Sequence, residues 1–200
     1  MDKAYQVVYS DPPWRYDFSK SDSRQIENQY STMATEDICA IKVPSADDAV
    51  LFLWATAPKL EDALAVMRAW GFRYVSHLVW DKVKIGMGFW ARGQHELLLV
   101  GTKGNFPPPP PSMRISSVIR IKRGIHSKKP DEIRNYIAKA YPDKAKLEMF
   151  ARGKYLNWDA FGNQVLSDVP INAKEQTIEE RFPERVSTIV ELTEGDGLFG

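Results

Sequence analysis

The chain of 200 residues is long enough for one well-buried core, and 44% apolar with 12% aromatic residues is typical of a folded globule. A single cysteine, Cys39, excludes an internal disulfide framework and a cysteine-based zinc cluster, so we expect a reducing, cytoplasmic environment and predict no metal site. No apolar run reaches the ~18 residues that would cross a membrane, and no hydrophobic signal region precedes the first predicted strand.

The net charge of +1 is unevenly distributed along the chain. Residues 165–200 hold eight acidic and three basic residues, so we treat residues 1–164 as the folded domain and residues 165–200 as an acidic C-terminal extension. Basic residues concentrate between Lys82 and Lys129, where ten Lys or Arg accompany one acidic residue, Glu96. Such an excess is either an ordinary solvated face or a surface for nucleic-acid phosphates.

Apolar runs predict five strands, at residues 6–10, 49–54, 74–80, 96–100 and 146–150, all of them buried except the strand at 74–80, for which burial is not predicted. Helical spacing predicts helices at residues 58–70 and 130–141, and a shorter helix at residues 35–41 capped by Thr35. The alternation predicts an α/β fold, with a mostly parallel sheet and helices on both faces. The basic segments 82–93 and 103–123 each follow a predicted strand, so a parallel sheet would place both at its site-bearing edge.

Several segments show no periodicity that predicts a helix or a strand. Residues 15–30 are predicted to form a long polar loop with aromatic side chains, and long loops in compact domains are often functional. Residues 102–129 contain five consecutive prolines, Pro107 to Pro111, which suit a stiff spacer or a partner-binding stretch; the basic flanks favour a substrate-facing loop. Residues 152–164 are predicted as a loop, and the acidic extension has one ambiguous helical stretch at residues 178–192.

The tetrapeptide Asp11, Pro12, Pro13 and Trp14 follows the first strand, at the position where open α/β sheets keep their sites. Two prolines fix φ and lack N–H groups, so the carbonyls of Asp11 and Pro12 are held without a competing ladder bond. The Asp11 carboxylate and the Pro12 carbonyl suit the two hydrogens of a planar NH2 group, and Trp14 offers a flat face for the ring that carries it. The alternative is a purely structural turn.

At the tetrapeptide the chain resembles the adenine amino-methyltransferases typified by the catalytic subunit of the eukaryotic messenger-RNA adenosine methyltransferase, with bacterial and phage relatives. Further matches follow in order across roughly residues 5 to 164. They comprise Tyr-Ser-Thr-Met at 30–33, Trp80, Trp90, Glu96, Ser-Lys-Lys-Pro at 127–130, Glu-Met-Phe-Ala-Arg at 148–152 and Gly-Asn-Gln at 162–164. The resemblance implies a Rossmann-like class I methyltransferase that uses S-adenosylmethionine, with a circularly permuted motif order in which the catalytic motif precedes the cofactor motif.

The chemistry of the side chains, the concentration of basic residues and the resemblance together predict a division of the site residues by role. The catalytic group is the tetrapeptide Asp11, Pro12, Pro13 and Trp14. The cofactor group is Asp11, Lys129 for the carboxylate, Glu148 or Asn163 and Gln164 for the ribose, Phe150 for the adenine, and Arg152. The substrate group is Tyr16, Tyr30, Trp80, Lys82, Trp90, Arg92, Arg114, Arg120 and Arg123, although Tyr30 could instead only pack the loop down.

The chain departs from the family pattern at two places. The family's best-known members have a His-Asn pair where this sequence has Lys154 and Tyr155, which puts ribose contacts there in doubt. They also have an acidic segment upstream that touches the adenine of the cofactor, whereas only ten residues precede Asp11 here. That contact must be replaced or missing.

We expect an adenine-specific methyltransferase that acts on nucleic acid. DNA is the expected substrate in preference to RNA, because the chain has bacterial-type compactness. The protein is expected to be a monomer or a homodimer. One alternative is an inactive nucleic-acid-binding scaffold of the same fold, which the intact tetrapeptide argues against. Others are an RNA adenosine methyltransferase and a methyltransferase for a small amine or a protein amide; the basic segments disfavour the last.

Overall fold

The computed structural model describes residues 3–16, 32–88, 90–124 and 128–171. Seven strands form one sheet: β1 Tyr5–Ser10, β2 Ser45–Ala55, β3 Arg73–Asp81, β4 His95–Lys103, β5 Val118–Arg120, β6 Lys146–Met149 and β7 Asp159–Phe161. Three α-helices accompany it: α1 Thr35–Ala40, α2 Leu60–Ala69 and α3 Asp131–Ala140. Short 3₁₀ turns lie at Ala57–Lys59 and Pro111–Met113.

The strand order is β5-β3-β4-β2-β1-β6-β7, and only β4 runs antiparallel to its neighbours. The mostly parallel α/β sheet is therefore confirmed, but the prediction that β4 continues the parallel alternation was wrong. A parallel neighbour would need a crossover of a dozen or more residues, usually a helix. The connection from β3 to β4 instead closes as a hairpin, in which the Lys82 N–H donates to the Gln94 carbonyl at 2.9 Å and the Gly86 N–H to the Gly93 carbonyl at 2.8 Å.

The sheet directions decide which segments meet at one edge, which we call the site edge. The carboxyl ends of the six parallel strands lie there, together with the amino end of β4. Asp11, Thr56, Lys82, Glu96 and Phe150 therefore share the site edge. Lys103 ends β4 at the opposite edge, so the expectation that the segment 103–123 begins at the site edge was wrong. The chain returns to the site edge only at β5.

The two faces of the sheet carry separate hydrophobic clusters, which explains why the central strands are apolar throughout. On one face, α1 and α2 bury Ile38, Val66 and Met67 against Leu51 and Leu53 of β2. On the other face, α3 packs through its buried Ile133 and Ile137, and further buried members of that cluster are Val7, Tyr9, Val50, Phe52, Trp54, Phe106 and Tyr141. Helices on both faces are thus confirmed, and each fully buried aliphatic side chain contributes about 1.5–3 kcal/mol.

Two local predictions needed correction. Helix α1 begins at Thr35 with Ala34 as its cap, and no side-chain oxygen of the described residues caps it. Strands β5 and β7 lie in segments predicted as loops, because three residues are too few to show a period.

The predictions for Tyr30, Ser127 and residues 178–192 lie outside the described residues. None of the helices in the described ranges is long and apolar enough to span a membrane.

Candidate active site

The tetrapeptide is fixed in place immediately after β1. The Met33 N–H donates to the Pro13 carbonyl at 2.8 Å and the Arg15 N–H donates to the Met33 carbonyl at 3.2 Å, which forms a parallel bridge between Trp14 and Met33. Trp14 is buried, and its indole Nε1 donates to the Trp54 carbonyl at 3.2 Å. These bonds connect the tetrapeptide to the end of β2. They also bring Trp14 and Met33, which flank the polar segment 15–30, next to each other.

The Pro12 carbonyl has a hydrogen bond that was not predicted from the sequence. It accepts the Trp14 N–H at 2.9 Å, which closes a three-residue turn centred on Pro13. The sequence indicated no competing ladder bond for this carbonyl but did not predict this turn bond, which forms because the fixed φ of proline bends the chain back on itself. A carbonyl oxygen has two lone pairs, so one remains for a ligand.

A row of alternating charges crosses the site edge. Lys129 Nζ lies 2.7 Å from Asp11 Oδ1, 2.9 Å from Asp11 Oδ2 and 3.3 Å from Glu96 Oε2. The other Glu96 oxygen pairs with Lys82 Nζ at 3.2 Å. Burial alone would lower the pKa of Lys129, but the Asp11 and Glu96 carboxylates more than offset it, so the pKa lies above its ordinary value. Lys129 is therefore a fixed cation between two carboxylates.

Two adjoining cavities open at the site edge. The first, of about 160 Å³, surrounds the tetrapeptide and we call it the tetrapeptide cavity. Tyr16 Oη and Thr56 Oγ1 share a hydrogen bond of 2.7 Å within its lining. Its lining consists of Asp11, Pro12, Pro13, Trp14, Tyr16, Trp54, Ala55, Thr56, Glu96, Lys129 and Arg152.

The second cavity, of about 250 Å³, lies at the end of β6 and we call it the β6 cavity. It is lined by Tyr9, Asp11, Lys128, Lys129, Arg134, Glu148, Phe150, Arg152 and Tyr155. Asp11, Lys129 and Arg152 line both cavities. The two cavities therefore adjoin at these three residues, which we call the shared wall.

A buried ion pair lies in the wall of the β6 cavity. Arg134 Nε donates to Glu148 Oε2 at 2.7 Å and its Nη2 donates to Glu148 Oε1 at 3.0 Å. A third bond from Nη1 reaches Asp131 at 2.7 Å, and the Arg134 Cζ atom lies 3.6 Å from the ring centroid of Tyr155. Burial, together with the charges of Asp11 and Asp131, raises the pKa of Glu148 more than Arg134 lowers it, so the pKa lies above its ordinary value.

The backbone beyond β6 is strained where it borders the cavity. Phe150 has a φ of 59°, a left-handed conformation that costs about 1–3 kcal/mol for such a residue and is common at ligand sites. Its ring packs edge-on against Phe161 with centroids 6.4 Å apart. A Cβ atom at Gly162 would lie 2.4 Å from the Ala151 carbonyl oxygen, so only glycine allows the two backbones to pass so closely.

The structure brings together most of the predicted catalytic and cofactor residues. The tetrapeptide, Lys129, Glu148, Phe150 and Arg152 all line at least one cavity. Asn163 and Gln164 instead lie exposed in the turn after β7, outside the lining of both cavities. Their contact with ribose stays a prediction.

The predicted substrate residues divide into buried and exposed members. Tyr16 lines the tetrapeptide cavity, whereas Trp80 is buried behind it, with its Nε1 donating to the Ile121 carbonyl at 2.7 Å and its ring 5.8 Å from that of Trp54. Lys82 is held by Glu96, and Arg120 is 72% exposed beside Asp81. Trp90 is fully exposed on the β3–β4 connection. The other exposed cations are Arg92, Arg114 and Arg123.

Sequence reasoning missed several residues at the site. Tyr9, Thr56, Lys128, Arg134 and Tyr155 line the cavities but were assigned no role. Arg134 could have been noticed in the sequence, since a charged residue directly after the core residue Ile133 of α3 indicates a partner near the core. Within the described ranges, no group of three His, Cys, Asp or Glu residues could hold a metal ion.

Comparison with known proteins gives one family match and several relatives. The family model for MT-A70 matches residues 5–164. The chain is 34% identical over 184 residues to the Type II methyltransferase M.MunI of Mycoplasma sp, covering 82% of this chain and 78% of that protein. It is 31% identical to the N(6)-adenosine-methyltransferase MT-A70-like protein of Drosophila melanogaster, covering 80% of this chain and 27% of that protein. It is 28% identical to the N(6)-adenosine-methyltransferase catalytic subunit METTL3 of Homo sapiens, covering 91% of this chain and 32% of that protein.

Proposed function

We propose that this chain, which belongs to the MT-A70 family, methylates the exocyclic 6-amino group of adenine in DNA. Family membership makes it an adenine-specific methyltransferase that depends on S-adenosylmethionine. The observation that carries the proposal is the wall that the two cavities share, in which Asp11 and Lys129 face both a place for a target base and a place for a methyl donor.

The residues of the β6 cavity fit S-adenosylmethionine. The cofactor needs a cation for its carboxylate, acceptors for its ribose hydroxyls and its amino group, and an apolar surface for its adenine. Lys129 is a cation in the lining of this cavity, so it can meet the cofactor's carboxylate. Glu148 is an acceptor in the wall, and Phe150 offers an aromatic ring. When bound, S-adenosylmethionine supplies an electrophilic methyl group on a sulfonium.

The tetrapeptide cavity accounts for activation of the amine. The lone pair of the adenine 6-amino nitrogen is delocalised into the ring, so this nitrogen is a poor nucleophile. The Asp11 carboxylate and the second lone pair of the Pro12 carbonyl accept its two hydrogens, which draws the nitrogen toward tetrahedral geometry. The same two acceptors stabilise the positive charge that develops on the nitrogen during transfer. Lys129 fixes the direction of the Asp11 carboxylate through both of its oxygens.

Two observations favour DNA as the substrate: the share of each relative's length that this chain covers, and the exposed side chains near the site edge. The chain covers 78% of a bacterial Type II methyltransferase but only 27% and 32% of the fly and human adenosine methyltransferases. Exposed Trp90 and Arg120 lie on segments that leave the site edge, where they would meet the backbone and bases around the target. A duplex substrate has to release its adenine from the stack to reach the tetrapeptide cavity.

The test is incubation of the protein and isotopically labelled S-adenosylmethionine with matched DNA and RNA oligonucleotides, followed by mass spectrometry of the nucleosides. We expect labelled 6-methyldeoxyadenosine from DNA. Labelled 6-methyladenosine from RNA alone would replace the proposal by the second candidate, an RNA adenosine methyltransferase, which the names of the fly and human relatives favour. Absence of product from both, with the cofactor bound, would indicate an inactive scaffold.

A further inference from the structure

One side chain in the wall of the β6 cavity has no role in the proposed chemistry. Arg134 comes from α3, is buried, and holds both oxygens of Glu148 in a two-pronged pair with N–O distances of 2.7 and 3.0 Å. Tyr155, from the loop after β6, stacks on its guanidinium at 3.6 Å. Arg134 thus joins α3, β6 and the loop after β6 at the cavity.

We infer that Arg134 is a positioning residue for the cofactor: it fixes Glu148 so that the outer lone pairs of this carboxylate accept hydrogen bonds from a donor group of S-adenosylmethionine. The inference rests on the proposed function, since it requires the cofactor in the β6 cavity. The donor is either the ribose hydroxyl pair or the α-ammonium group, and both are hydrogen-bond donors that need an ionised, oriented acceptor.

The hydrogen-bond inventory supports this role. Each oxygen of an ionised carboxylate has two acceptor sites, and the fork of Arg134 occupies one on each oxygen. Two acceptor sites therefore remain on a group that lines the cavity. A planar guanidinium with bonds to Glu148 and Asp131, and Tyr155 stacked on its face, has no freedom to turn away, so the carboxylate keeps one orientation.

The electrostatic surroundings explain why an arginine is needed. Burial and the charges of Asp11 and Asp131 all disfavour the ionised form of Glu148 and raise its pKa, and Arg134 opposes them. Without Arg134, the buried Glu148 would take up a proton and lose acceptor capacity. The titratable and charged groups around the Glu148 carboxylate are Arg134 and Asp131 of α3, Tyr9 of β1, Asp11, and the cavity-lining Lys128, Lys129, Arg152 and Tyr155.

The experiment is calorimetric titration of S-adenosylhomocysteine into the wild-type protein, Arg134→Met and Arg134→Lys. Lys139→Met is the matched control, since it removes an exposed cation from the same helix. At pH 7 we expect Arg134→Met to weaken binding by about ten-fold to a hundred-fold, Arg134→Lys to weaken it less, and Lys139→Met to leave it unchanged. As Glu148 ionises at higher pH, Arg134→Met should recover part of its affinity as the pH is raised above 7. Equal affinity in Arg134→Met and Lys139→Met, or a loss that does not change with pH, would overturn the inference.

Two further arms make the result specific. 5′-Methylthioadenosine keeps the ribose but lacks the amino-acid part, so a loss of affinity for it in Arg134→Met assigns the ribose hydroxyls as donor, and an unchanged affinity assigns the α-ammonium. If Arg134→Met does not fold, the double variant Arg134→Met with Glu148→Gln removes both buried charges and restores packing. Weak, pH-independent binding in this double variant supports the inference, and wild-type affinity overturns it. Failure of the wild-type protein to bind S-adenosylhomocysteine would instead contradict the proposed function itself.

Discussion

Asp11 and Lys129 form an ion pair of 2.7 Å between residues that are far apart in sequence, and this pair is part of the wall between the two cavities. Asp11 reaches the pair from the end of β1, whereas Lys129 reaches it from the start of α3. Lys129 is mostly buried, with 14% of its side chain exposed, and also contacts Glu96. The pair therefore connects the acceptor for the target amine with a cation for the methyl donor.

Replacing Lys129 by Met should weaken binding of S-adenosylhomocysteine by about ten-fold to a hundred-fold, equivalent to 1.4–2.8 kcal/mol. The loss follows because the cation between Asp11 and Glu96 disappears, leaving two carboxylates beside the carboxylate of the ligand. Calorimetry measures the affinity, and Lys139→Met serves as the control for loss of an exposed cation. Affinity within two-fold of wild type would place the carboxylate of the cofactor elsewhere.

Replacing Ser10 by Ala should leave the free energy of unfolding unchanged or raise it by up to about 1 kcal/mol. The Ser10 hydroxyl is buried and has no hydrogen-bond partner among the described residues, so the substitution removes a polar group that burial disfavours. Urea unfolding followed by tryptophan fluorescence measures the effect. A loss of more than about 1 kcal/mol would show that the hydroxyl has a stabilising partner.

The contribution of Asp159 to stability should depend on pH. Asp159 accepts hydrogen bonds from Lys3 Nζ and Tyr5 Oη, and these groups lower its pKa below the ordinary value although burial opposes them. A carboxyl with a depressed folded-state pKa contributes stability above its unfolded pKa of about 3.9, and this contribution is lost as pH falls through the folded value.

Asp159→Asn should therefore reduce the free energy of unfolding by about 1 kcal/mol at neutral pH and by less at about pH 3. Urea titrations at both values test this, with the exposed Asp143→Asn as control. An equal loss at both values would show that ionisation of Asp159 does not contribute.

Binding to duplex DNA should depend strongly on salt. If about five phosphates are neutralised, log affinity should fall with log salt concentration at a slope of roughly −4. Arg120 is exposed at the site edge, so Arg120→Glu should make the slope less steep by about one unit or more. Arg123→Glu should have a similar effect, since Arg123 is exposed and its backbone N–H donates to the Lys82 carbonyl at the site edge. Lys139→Glu, near the end of α3 that leads to the opposite edge, should leave the slope unchanged. Fluorescence anisotropy at several salt concentrations measures the slopes, and equal slopes in all variants would remove these arginines from the DNA surface.

The fold could be predicted from sequence where the apolar pattern is long. All five predicted strands and three predicted helices are present; β1 and β2 bury continuous apolar runs, whereas β3 is largely exposed. The direction of β4 could not be predicted, since it depends on backbone bonds across a hairpin such as Lys82 to Gln94. The three-residue strands β5 and β7 are too short to show a pattern.

The site was predicted where a motif carries it and missed where distant elements supply it. Asp11, Lys129, Glu148 and Phe150 belong to motif segments, and the structure places all of them in the lining of the β6 cavity. Arg134 lies outside any motif, and only the folded contact between α3 and β6 reveals its pairing with Glu148. The turn bond to the Pro12 carbonyl depends on backbone geometry that residue types alone do not specify.

The most direct test of the claim that Asp11 accepts the target amine is the rate of methyl transfer by Asp11→Asn. The rate is measured on adenine-containing DNA under single-turnover conditions and compared with that of the wild-type protein. The substitution keeps the shape of the side chain but converts part of an acceptor into a donor, so an interaction made mainly in the transition state is lost. We predict a folded protein that still binds S-adenosylhomocysteine and transfers methyl groups about 10²–10³-fold more slowly, a loss of about 2.7–4 kcal/mol. A variant that retains more than about a tenth of the wild-type rate would contradict the assignment of Asp11 as the acceptor for the target amine.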